Sequence, residues 1–152
     1  MKATNKWSDL DLQSAQKGIA VAIVNDKDEI LVMDHVKTGK WLVPTGGVED
    51  GDSLLKTVFK EMFEELNIKV TSVTFIGDET NKYVRNESDV YVTVSHYVVN
   101  NYKGRIVNNE PHKHRSLRWL SKKDFDVENR MESRNFGDIT RYIFNNFMTE
   151  FK

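Results

Sequence analysis

A chain of 152 residues, 39% hydrophobic and 30% charged, has the composition of a soluble globular domain long enough to bury its own core. The net charge of -1 provides no overall field for nucleic acid or membranes, and the lack of cysteine excludes disulfides and thiolate metal sites. Residues 1–16 contain no apolar run of the signal-peptide kind and no segment suits a bilayer span, so the cytoplasm is the expected compartment.

Residues 1–16 read as a polar N-terminal arm with Trp7, Leu10 and Leu12 as its apolar anchors, and 1–152 as a single domain. Gly18 to Val24 is a short apolar run that predicts a buried strand. Asn25 to Asp28 is a turn and Glu29 to Val36 a second strand, so 18–36 is expected to form a hairpin. Trp41 to Val43 reads as a short strand stopped by Pro44, with a turn at Thr45-Gly46-Gly47. Asp52 and Ser53 both suit a helix N-cap. From there Leu55, Val58, Phe59, Met62 and Leu66 recur at helical spacing, until Asn67 offers a left-handed C-cap.

Ile68 to Ile76 predicts a strand, followed by a loop that carries Lys82 and Arg85. Asp89 to Val99 is the clearest strand, with Val90, Val92, Val94, His96 and Val98 on one face and Tyr91, Thr93, Ser95 and Tyr97 on the other. Asn100 to Gly104 reads as a turn, Leu117 to Leu120 as a short strand, and Ser121 as an N-cap. Ile139, Ile143, Phe144, Phe147, Met148 and Phe151 suggest a final helix. The expected fold class is α/β, a mixed sheet with at least two helices packed on it.

The helix after the glycine loop carries Glu61, Glu64 and Glu65 on one face. Each like-charged pair costs roughly 0.2–0.5 kcal/mol even when exposed. Their place in the C-terminal half of the helix sets them against the dipole by about 0.3–1 kcal/mol each. A solvated acidic face is the simpler reading of three glutamates alone. The preceding Pro44-Thr45-Gly46-Gly47, with Glu49 and Asp52, shifts it: this backbone can approach closely and offer carbonyls, and a hard divalent cation reverses the sign of every penalty.

Gly46, five residues, Asp52, seven residues, then Lys60-Glu61-Met62-Phe63-Glu64-Glu65-Leu66-Asn67-Ile68 resembles the Nudix box: Gly, five, Glu, seven, Arg-Glu-apolar-x-Glu-Glu-x-Gly-apolar. Pro44 to Ser53 is similar to its usual lead-in, and Trp41 and Trp119 extend the likeness. The departures are Thr45 and Asn67 for glycine, Asp52 for Glu and Lys60 for Arg. The resemblance implies a Nudix-type α/β/α sandwich with a mixed β-sheet, and hydrolysis of a nucleoside diphosphate linked to a group X with Mg²⁺ or Mn²⁺. It implies Glu61, Glu64, Glu65 and the Thr45 carbonyl as metal ligands, Glu61 or Glu64 as general base, and Lys60, with Glu49, as the residues that orient the carboxylates and close the loop on the helix.

Asn109-Glu110-Pro111-His112-Lys113-His114, with Leu117-Arg118-Trp119-Leu120, resembles a segment of MutT-like nucleoside triphosphate diphosphatases, with His114 at a usual cysteine. That favours a nucleoside or deoxynucleoside triphosphate cleaved to the monophosphate and pyrophosphate, with Glu110 in reach of the metals. ADP-ribose, a dinucleoside polyphosphate or capped RNA are the rival substrates, and a non-catalytic Nudix-like nucleotide-binding domain is the rival of another class. His35, at the end of the second strand, and Tyr91, as a base-stacking ring, are the other candidate substrate contacts; His96 reads as a core histidine, and for His112 and His114, which flank Lys113 in a polar loop, surface exposure weighs at least as much as phosphate contact. A nucleotide substrate is the expected partner, with no membrane and no stable nucleic-acid partner, and a homodimer is allowed.

Overall fold

The computed structural model describes residues 15–131 and 136–147. The apolar run becomes β1 (Gln16–Ile23), a central strand with both faces buried. Its other members are β2 (Glu29–His35), β3 (Trp41–Leu42), β4 (Thr45–Gly47), β5 (Lys69–Arg85), β6 (Ser88–Lys103) and β7 (His114–Ser121). They form a four-stranded sheet in the order β4-β1-β6-β5 and a three-stranded sheet in the order β3-β2-β7. β1 and β6 run parallel and the other pairs are antiparallel.

Helix α1 (Leu54–Leu66) covers one side of β1. Ile19, Val21 and Ile23 point into a core with Val58, Met62 and Leu66 of that helix. The alternate residues Ala20 and Ala22 face the other way, onto Phe125, Phe136 and Phe144. Those rings come from α2 (Lys122–Met131) and from the segment that holds α3 (Asp138–Tyr142) and a π-helical turn at Ile143–Phe147. Small side chains on β1 leave room for three phenylalanines, Phe125 stacked on Phe144 and tilted against Phe136, and the result is the expected α/β/α sandwich.

Several boundaries differ from the expectation. The 18–36 hairpin survives only at its turn, where Val24 bridges to Ile30, because β1 and β2 then part into different sheets. Thr45-Gly46-Gly47 is a strand paired with β1, not a turn. β5 runs on to Arg85, so Lys82 and Arg85 are strand residues, and β6 continues through Asn100 to Lys103. β5 and β6 meet in a two-residue turn at Asn86 and Glu87, both at positive φ (51° and 65°), the primed geometry that a twisted hairpin favours. Leu55 and Phe59 are 47% and 42% exposed, so the core stripe of α1 is Val58, Met62 and Leu66, with Leu54 packed against them. The expected arm lies outside the described residues up to residue 14, as do Met148 and Phe151 of the final helix.

Both caps of α1 are as expected. Ser53 Oγ accepts from Lys56 N–H at 3.0 Å, and Asn67 adopts the left-handed conformation at φ 61°. Ser121 Oγ likewise accepts from Asp124 N–H at 3.1 Å. His96 is fully buried, stacked on Tyr142 with centroids 4.1 Å apart.

Candidate active site

The glycine loop and the acidic helix are fastened together at two points. Lys60 Nζ donates to Glu49 and, at 3.1 Å, to Asp52. Asp52 also pairs with Lys56 at 3.1 Å, so its shorter side chain still reaches both lysines. The bonds from Lys56 and Lys60 hold the Asp52 carboxyl below its usual range, and Glu49 and Asp52 raise the Lys60 ammonium. The second point is steric. A Cβ on Gly46 would lie 2.6 Å from the Glu61 carboxyl carbon, so the carboxylate rests on bare backbone.

A second loop closes over the C-terminal end of α1. Val107 N–H donates to Leu66 C=O at 2.9 Å and Asn109 N–H to Glu65 C=O at 3.0 Å, satisfying carbonyls that the helix leaves without partners. This anchoring carries Glu110 to the acidic face. Its carbonyl accepts from Lys113 and His114 N–H at 2.9 and 3.0 Å, which turns the chain into β7.

Between these elements lies a cavity of about 530 Å³. Glu61, Glu65 and Glu110 form one wall, and Thr45, Gly46 and Gly47 lie beside them. Glu65 is only 4% exposed and its Oε1 has no partner. Burial, a hydrogen bond shared with Glu61 and the Glu61 charge push its carboxyl up to about 9. Burial raises Glu61 as well, with the charges of Glu64 and Glu110 adding to it, so the pair shares a proton held on Glu65. Glu64 is exposed and stands outside the cavity wall.

His35 also lines the cavity. Tyr91 does not; it lies on β6 opposite Lys82. His112 and Lys113 are exposed but border the cavity, and His114, for which surface exposure and phosphate contact both stood, is buried at the start of β7. Burial and the neighbouring His35 lower its imidazole pKa. Lys37 is a lining residue that sequence reasoning missed. It lies in the turn after β2, and only the pairing of β2 with β7 brings that turn beside His112 to His114.

A family model described as NUDIX domain matches residues 15–139. The chain belongs to the NUDIX domain family. Its Nudix box is the loop and helix just described. Among curated proteins it is similar to an RNA pyrophosphohydrolase of Ruthia magnifica, 27% identical over 54% of this chain and 45% of that protein. Another, from Tolumonas auensis, is 26% identical over 47% of this chain and 41% of that protein. The matched stretch thus spans less than half the length of these relatives. Among solved structures, a MutT NUDIX hydrolase from Burkholderia pseudomallei shares the fold at a TM-score of 0.71, with 21% identity, over 88% of this chain and 98% of that one. An Ap4A hydrolase of C. elegans does so at 0.60, with 20% identity, over 90% and 100%.

The Nudix carboxylates fit a hard divalent cation on their own chemistry. The buried Glu65 and the half-buried Glu61 share a proton where a cation can take its place, and one oxygen of Glu65 is left without a partner. Among the described residues no three acidic or histidine side chains are already drawn together in metal-holding geometry. No helix among the described residues is long and apolar enough to cross a membrane.

Proposed function

We propose that this chain, as a single domain working in the cytoplasm, is a metal-dependent hydrolase of the phosphoanhydride bond in a nucleoside diphosphate linked to X, with a nucleoside or deoxynucleoside triphosphate as the favoured substrate. The observation that carries this reading is the buried Glu65, sharing its proton with Glu61 at a cavity edged by the Gly46 backbone. Nothing in the packing of α1 needs a carboxylate there, and burying one without a counter-ion is unfavourable. Glu61, Glu64, Glu65 and the Thr45 carbonyl would hold Mg²⁺ or Mn²⁺. When bound, the cation neutralises phosphate oxygens and lowers the pKa of water.

Glu61 is the general base in this reading: it takes the proton of the water that attacks phosphorus, while the P–O anhydride bond breaks and the phosphate that carries X, which is pyrophosphate for a triphosphate, leaves with the electron pair. Lys60 holds the loop on the helix through Asp52 and Glu49, which keeps Gly46 under Glu61. Glu110 adds a carboxylate from the loop. The similarity to RNA pyrophosphohydrolases supports a second reading, the 5′-polyphosphate end of an RNA. A panel of nucleotides and 5′-triphosphorylated RNA, incubated with the protein and Mg²⁺ or Mn²⁺, tests both. Release of phosphate or pyrophosphate is expected; none from any substrate sinks the enzyme reading.

A further inference from the structure

The cavity also has a stretch of lining of reversed chemistry, which meets the carboxylates where Lys113 Nζ pairs with Glu110 at 3.5 Å. It is built from two segments: His35 and Lys37 at the end of β2, and His112, Lys113 and His114 at the start of β7. The β2–β7 ladder stitches them together, with His35 paired to His114 and Val36 N–H donating to Lys113 C=O at 2.9 Å. His114 is only 6% exposed, yet its Nδ1 has no partner, and neither has Nδ1 of His35. The two rings meet edge-on with centroids 5.6 Å apart. Leaving such nitrogens unmatched costs free energy, and both rings belong to residues that line the cavity.

We propose that this wall binds phosphate, and specifically the anionic part of the substrate beyond the cleaved anhydride. X is then itself a phosphate chain and not a neutral sugar. The proposal rests on the hydrolase reading for its geometry: the scissile phosphate sits at Glu61 and Glu65, and the next phosphates extend toward His35, His114 and Lys113. A linear triphosphate brings negative charge to the lysines and acceptors to both imidazoles. A neutral ribose brings hydroxyls but no charge. A free nucleoside triphosphate and the 5′-triphosphate end of RNA share this chemistry.

The test separates binding from turnover. Inorganic tripolyphosphate is titrated into the intact protein in EDTA by calorimetry, with histidine resonances followed by NMR. Binding to the wild type is expected, with shifts at His35 and His114. Affinity should fall about tenfold in Lys113→Ala and in His114→Asn, the scale of one charge-assisted hydrogen bond. Lys113 is exposed, so its variant keeps the fold even where the histidine variant does not. Absence of binding, or equal affinity in wild type and Lys113→Ala, overturns the proposal. In the hydrolysis arm, Lys113→Ala and Lys37→Ala should raise KM for ATP or for a 5′-triphosphorylated oligonucleotide with little change in kcat, and leave ADP-ribose unaffected. The larger rise of the two names the bearer of the triphosphate. Equal effects on ADP-ribose overturn the proposal. Loss of tripolyphosphate binding in the variants of a protein that hydrolyses nothing removes the enzyme reading and leaves the phosphate site standing.

Discussion

Gly46 and Glu61 occupy one space: the carboxyl group of Glu61 lies where a side chain on Gly46 would be, 2.6 Å from the position of its Cβ. Gly46→Ala must therefore push Glu61 aside or open the β4–β1 pairing. The side chain yields more easily than the ladder, so the expected outcome is a folded protein with displaced chemistry. Displacement of a reacting group by about 1 Å costs on the order of 100-fold in rate. Steady-state kinetics beside circular dichroism checks it. Full activity would mean that the close approach has no catalytic consequence.

Glu65→Gln keeps the shape of the buried side chain and removes its ability to become anionic. Turnover with Mg²⁺ should fall by about 100-fold or more. Glu64→Gln should also be impaired, although Glu64 is exposed, because its assigned role is toward the metal rather than toward the packing of α1. Near-normal turnover in both variants would remove the metal assignment.

Asn67 ends α1 at φ 61°, a conformation that an L residue with a Cβ adopts at a cost. Asn67→Ala should destabilise the protein by roughly 1 kcal/mol, while Asn67→Gly, the family's usual residue there, should be neutral or stabilising by a few tenths to about 1 kcal/mol. Urea midpoints at constant slope decide it. Equal midpoints for all three would show that the cap is not strained.

How far the sequence reaches is visible at these same residues. The helix, its Ser53 and Asn67 caps and the glutamate cluster were legible because each is a local pattern with a fixed spacing. The parting of β1 and β2 was not, since a short turn between two apolar runs has the same local chemistry whether the strands then pair or enter different sheets. The length of β5 and β6 was hidden because Asn86-Glu87 adopts a primed turn without glycine and the distal strands are polar and half exposed. Leu55 and Phe59 match the helical period, yet they fall outside the stripe that meets β1. The burial of His114 was not legible because its sequence neighbours are charged; only the pairing with His35 across β2 and β7 turns it inward.

The shared proton gives the metal-free protein a characteristic pH dependence. The folded state holds Glu65 protonated up to about 9, against 4.5 for the ordinary carboxyl, so between these values the native state binds more protons than the unfolded chain. The stability contributed by this group is complete below the lower value and is lost as pH rises toward the upper one. One proton bounds the slope at about 1.4 kcal/mol per pH unit. In EDTA, the melting temperature of the wild type relative to Glu65→Gln should therefore fall steadily from pH 5 to pH 9 on the order of this linkage. Saturating Mg²⁺ should reverse the trend for the wild type, because the cation takes the place of the proton and binds more tightly as the carboxyls ionise. Glu65→Gln should gain much less from Mg²⁺. Parallel pH curves for the two proteins in EDTA would show that Glu65 does not carry the buried proton.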